Sequence, residues 1–215
     1  MAISLKMSGK EVVNYNPTTD IATIKNTNID SNVQFPAGHV IQVTYNQKTD
    51  RSAFSTTDWT LIPGQAQDGT TTYGFATHIT PKKQNSKILI TANLEGSGGE
   101  YNYVWSARLY RVIGSAAETT IGNSDVFGTR PTTFMATGEQ QWSNYGRNRI
   151  SNSFLDTPNT LEKIYYYCKV WDTRDSGTVY INRQYYTHSL AESNFVYGKG
   201  EPTGTSSILL QEISQ

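Results

Sequence analysis

Hydrophobic and polar residues alternate along much of this chain, and the clearest run lies at 161–183. Ile164, Tyr166, Cys168 and Val170 fall on one side of it, with Tyr165, Tyr167, Lys169 and Trp171 on the other. A period of two is what a pleated strand presents and what a helix cannot use. β-Branched and aromatic residues dominate the run, as suits a half-buried sheet surface. The polar stretch 172–177 interrupts the pattern, and Gly177 is free to turn there. Val179, Ile181 and Arg183 then alternate with Tyr180 and Asn182. The spacing predicts two strands joined as a hairpin, which needs further strands to be stable in water.

Similar runs recur in order. Strands are predicted at 39–45, at 54–62 ending on Pro63-Gly64, and at 76–79 before Pro81. Another spans 86–94, closed by the glycines at 96–99. A long strand follows at 101–112, with Tyr103, Trp105, Ala107, Leu109 and Arg111 on one face, and the two are expected to pair as a hairpin across the glycine loop. Shorter runs occupy 119–121 and 150–155, and SSILLQEI at 206–213 is a last apolar strand. Irregular, polar stretches fill 123–149 and 184–203. About ten short strands at this spacing predict an all-β, antiparallel sandwich. No segment carries a helical apolar stripe, which excludes a parallel α/β sheet with its crossover helices. A jelly roll accommodates the strand number and the late return of the chain to the core.

The first 35 residues read differently. Ile3, Leu5 and Met7 alternate with polar neighbours, and Val12, Val13, Ile21 and Ile24 then stand isolated in Asn- and Thr-rich sequence. This pattern fits an extended arm or a pair of small edge strands, and the arm, with these seven residues as its docking points, is the reading carried forward. The boundary is placed at Phe35-Pro36, giving an arm over 1–35 and a jelly-roll domain over 36–215.

Composition narrows the function. Charged residues make up only 17% of the chain and the formal net charge is +0, which lacks the basic field of a nucleic-acid binder. No apolar run reaches membrane-spanning length, so no membrane insertion is expected, and the first ten residues do not read as a signal peptide. The single cysteine, Cys168, sits in an alternating strand and is expected to be a small buried hydrophobe.

Enzyme chemistry is not legible. The phosphate-binding, dinucleotide, nucleophile-elbow and zinc-protease motifs are absent. His39, His78 and His188 lie far apart and predict no metal site, and no cofactor is expected. Asp172 and Asp175 are a possible carboxylate pair for glycan hydrolysis, although turn acids more often bond their own backbone. The better lead is aromatic. Trp142, Tyr145, Tyr185, Tyr186, Phe195 and Tyr197 stand in polar stretches, where rigid rings suit sugar or protein recognition; capping the sandwich or packing between subunits is the alternative use.

A resemblance adds to this reading. Thr80-Pro81, SKILI at 86–90, ARLYR at 107–111, SFLDTP at 153–158, GTVYINR at 177–183 and SSILLQEI at 206–213 together resemble the jelly-roll domains of tailed-phage virion proteins, particularly those of phages of aquatic bacteria. FPAGHVIQV at 35–43 is similar to the lead-in of such domains, and 1–34 lies outside the likeness. Domains of this kind are similar to the tumour-necrosis-factor and C1q type, which commonly forms trimers. The resemblance implies a non-enzymatic fibre or capsid-decoration component of a virion, a homotrimer, attached to other virion proteins of capsid or tail and displaying loops to a host-surface glycan. It brings no catalytic residue with it. A lectin or a glycan depolymerase on the same scaffold is the alternative.

Overall fold

A computed structural model describes residues 36–98, 104–124, 132–137, 148–172, 177–183 and 204–215, together with the backbone of three strands near the N-terminus. The chain separates into two compact units, Met1–Phe35 and Pro36–Gln215. In the first, strands β1 (Ile3–Met7), β2 (Lys10–Asn16) and β3 (Ile21–Ile24) form an antiparallel sheet in that order. Its register places Leu5, Val13 and Ile24 in one row and Ile3, Tyr15 and Ala22 in another.

The second unit is all-β. Its strands are β4 (Val40–Lys48), β5 (Ser52–Ser55), β6 (Thr60–Leu61), β7 (Ala76–Ile79), β8 (Lys87–Gly98), β9 (Trp105–Ile113), β10 (Thr119–Ile121), β11 (Met135–Ala136), β12 (Asn148–Asp156), β13 (Ile164–Asp172), β14 (Thr178–Ile181) and β15 (Ser206–Ile213). One sheet runs β4-β15-β8-β14-β5, with β12 also paired to β8. The other runs β10-β9-β13-β6, with β11 on β9 and β7 on β13. Every pair is antiparallel. The chain passes repeatedly from one sheet to the other, and the C-terminal strand returns between β4 and β8. Two antiparallel sheets connected in this way are a jelly roll.

That connectivity corrects two local readings. The strands predicted as a hairpin at 161–183 belong to different sheets: β13 pairs with β9, while β14 pairs with β8 and β5. The strands on either side of the glycine loop, β8 and β9, are likewise in opposite sheets. Alternation reports which residues share a face; a strand folded back beside its neighbour and one carried across the sandwich show the same pattern. The glycines also do more than end a strand, because β8 runs on through Gly96 to Gly98. A Cβ on Gly96 would lie 2.3 Å from the Tyr180 carbonyl oxygen, so the close approach of β14 requires glycine there.

The core lies between the sheets. Ile88, Ile90, Ala92 and Leu94 of β8, with Ile208 and Leu210 of β15, pack against Trp105, Ala107 and Leu109 of β9 and Ile164, Tyr166, Cys168 and Val170 of β13. Each large side chain fully withdrawn from water contributes about 1.5–3 kcal/mol. Burial alone pushes the Cys168 thiol up to about 12, so it packs as an uncharged group. Polar groups also tie the sheets together. Arg111 on β9 donates twice to the Asp156 carboxylate on β12, at 2.8 and 2.9 Å, and the Tyr166 hydroxyl on β13 donates to the same carboxylate at 2.8 Å. Glu212, fully buried, accepts from the backbone of Lys82 and Lys83 and from the Gln42 amide.

Candidate functional site

β4 departs from the expected relation between pattern and burial. In an edge strand of a sandwich the apolar residues should point inward. Here Val43 and Tyr45 are 53% and 49% exposed, while Asn46 is half-buried and Lys48 is buried. The reason lies under the strand. β4 sits over the segment 64–82, whose backbone carbonyls need donors. The Gln42 amide donates to Thr80 O at 2.7 Å, and the Asn46 amide donates to Gln65 O at 2.8 Å and to Ala76 O at 2.7 Å. The amides of Gln42 and Asn46 on the inner face are thereby satisfied, and the apolar set is left on the outside.

The register carries this apolar band across the sheet. Val43 lies opposite Gln211, which lies opposite Leu89, which lies opposite Leu155. In the next row Tyr45 meets Leu209, then Thr91, then Ser153. Leu155 is 46% exposed, and Val40 begins β4 as another exposed apolar residue. Four of the five large hydrophobic side chains exposed among the described residues therefore lie on this one sheet, on β4 and β12. Towards the other end of β8 the same face becomes polar and internally bonded: Thr91 with Ser153 at 2.9 Å, Ser151 with Asn93 at 2.6 Å, Arg149 with Glu95 at 2.9 Å.

The outer face of the second sheet is covered instead. Tyr73, from the segment before β7, stacks on Tyr167 and lies against Tyr165, and Tyr167 stacks on Tyr110. Lys169 sits 4.7 Å from the Tyr110 ring and Arg108 lies 4.1 Å over Trp59. The Tyr165 hydroxyl donates to Asp68 at 2.6 Å and Lys163 adds an ion pair at 3.1 Å. The Tyr165 hydrogen bond, reinforced by the Thr70 amide and Lys163, holds the Asp68 carboxyl down to about 2. The rings and their cations are spent on one another, which makes this surface a second small core.

The residues singled out from sequence distribute as follows. Ile3, Leu5, Met7, Val12, Val13, Ile21 and Ile24 lie on the three N-terminal strands. Trp142, Tyr145, Tyr185, Tyr186, Phe195 and Tyr197 lie outside the described residues, as do Asp175 and His188. The ends of their segments are described. Asn148, which follows 138–147, and Ile181, shortly before 184–203, pair with the same residue, Gly96, from its two sides. Asn148 and Ile181 thus meet at one end of the sandwich. Asp172 is fully buried, against Gly177. His78 stands near Asp68 and Tyr165, remote in sequence from His39 on the lead-in to β4. Val43, Tyr45 and Leu155 were not singled out, because alternation marks two faces without saying which one meets solvent.

No family model matches the sequence, and no curated protein is similar to it. Solved structures similar to the chain include that of infectious bursal disease virus, Gx strain, at TM-score 0.34 and 11% identity, covering 99% of this chain and 45% of that one. The Gt strain of the same virus matches at TM-score 0.34 and 11% identity, over 89% of this chain and 45% of that one. Eiger TNF from S. frugiperda matches at TM-score 0.29 and 10% identity, over 70% of this chain and 97% of that one. The chain therefore spans less than half the length of the bursal disease virus chains it is similar to.

Proposed function

We propose that this protein is a non-enzymatic structural component of a tailed-phage virion, a fibre or decoration protein. Its jelly roll assembles as a homotrimer through the outer face of the β4-β15-β8-β12 sheet. The unit Met1–Phe35 attaches it to capsid or tail, and the end of the sandwich around Gly96 is turned to the host surface. The observation that carries the reading is the inverted β4, with Val43 and Tyr45 outward and about half exposed in the chain by itself. Apolar residues clustered on one sheet face are stable in water when another surface covers them. The likeness of the strand and turn residues to phage virion jelly rolls supports other copies as that surface. A threefold axis fits a face of this kind, because a ring of heterologous contacts closes on itself and leaves one end free. Asn148 and Ile181, which border the two aromatic-bearing stretches in sequence, meet at that same end, which supports its use in host contact.

The attachment role has a direct test. Particles assembled with a chain lacking residues 1–34 should carry none of it, although the truncated chain is folded. Normal incorporation of the truncated chain would remove the anchoring role.

A further inference from the structure

The inner, polar side of β4 borders an open depression of about 620 Å³ between the strand and the segment 64–75. We propose that this depression binds a neutral, hydroxyl-rich ligand, a saccharide. The inference rests on the host-contact reading above and names the ligand class for it.

Three observations carry it. The wall is built of groups that both donate and accept: Asn46, Gln65, Gln67 and Thr71 line it, with Asp50 at its margin. Vicinal hydroxyls are recognised by planar amides and carboxylates of this kind, whereas an apolar ligand would leave them unpaired. The charges do not favour an anion. Lys48 is held by Asp50 at 2.7 Å and its side chain is 2% exposed, so the exposed member of the pair is the carboxylate, at 72%. The wall is also fixed in advance. Asn46 is locked by its bonds to Gln65 O and Ala76 O, Gln67 accepts from His78 N at 2.8 Å, and Ala66 N donates to Thr70 O. On this frame the Gln65 amide and the Thr71 hydroxyl engage no partner among the described residues, which leaves them for a ligand. Preformed walls lower the ordering cost of binding. The volume falls in the range of small-molecule sites, roughly 300–1,000 Å³. The depression also opens beside Lys48, whose carbonyl is bonded by Asn182 close to the start of 184–203, and so lies towards the end of the sandwich assigned to host contact.

The test is saturation-transfer NMR on the full chain, with methyl glycosides of glucose, galactose and mannose as neutral probes and N-acetylneuraminic acid as the charged one. At least one neutral glycoside should receive saturation, and titration should show the acidic sugar binding about tenfold more weakly, a difference of about 1.4 kcal/mol. Gln65→Ala and Thr71→Ala should each weaken the neutral signal with the melting midpoint unchanged, since neither side chain supports the fold. No signal from any neutral glycoside, equal binding of the acidic sugar, or signals unmoved in both variants would overturn the proposal. The mass in solution and the incorporation of the truncated chain, which test the virion reading, do not depend on any of these outcomes.

Discussion

Asn182 has the most distinctive environment of any single residue. It adopts a left-handed φ of 60°, which asparagine tolerates better than most residues, and it is fully buried. Its amide donates to Lys48 O at 2.8 Å and Asp50 O at 3.0 Å, and it accepts from the Ser206 hydroxyl at 2.8 Å. One side chain thus joins the end of β4, the turn after it and the start of β15. Asn182→Ala should lower the unfolding free energy by about 3 kcal/mol, because it strands buried polar partners. Urea denaturation checks this, and a loss under about 1 kcal/mol would show that water replaces the amide. Asp68 gives the pH counterpart. Its carboxyl is held down to about 2 from 3.8, with Tyr165 the largest cause. A depressed carboxyl contributes stability above its unfolded value, and that contribution is lost as pH falls from about 4 towards 2. Asp68→Asn should flatten the stability profile in that window alone, and an unchanged slope there would contradict the role given to the Tyr165 bond.

Among the elements, β8 and β4 set what the sequence could convey. β8, β9, β13 and β15 were legible as strands, and in β9 and β13 alternation also sorted the residues onto two faces. Ile164, Tyr166, Cys168 and Val170 share one face as their spacing implied, and the structure shows that face to be the buried one. Partnering was not legible, because Gly96 and Gly98 look like a loop until β14 is seen to approach them. The 54–62 run also divides, into β5 and β6, with Trp59 between them under Arg108. The outward face of β4 was hidden for a different reason: the polarity of its inner face answers carbonyls contributed by residues 19 to 38 positions away in the chain. Gly96→Ala tests the close approach. It should cost about 3 kcal/mol by forcing β14 off β8. Gly69→Ala, at a φ of +80° with open space around it, should cost only about 1 kcal/mol. Equal costs at the two sites, read from denaturation midpoints, would mean that β14 yields freely.

For the whole molecule, the fold and the proposed role meet at one sheet face. The second sheet covers its outer surface with its own chain, through Tyr73 and Asp68, while among the described residues the first leaves Val43, Tyr45 and Leu155 exposed. The deciding measurement is the solution mass by light scattering of the full chain, of the chain lacking 1–34, and of the Val43→Asp, Tyr45→Asp double variant. The first two should have the mass of three chains, each 24.0 kDa in full length, and the double variant should fall to one chain while keeping its β-sheet circular dichroism. A monomeric full-length chain, or a double variant that remains trimeric, would contradict assembly through the β4 face.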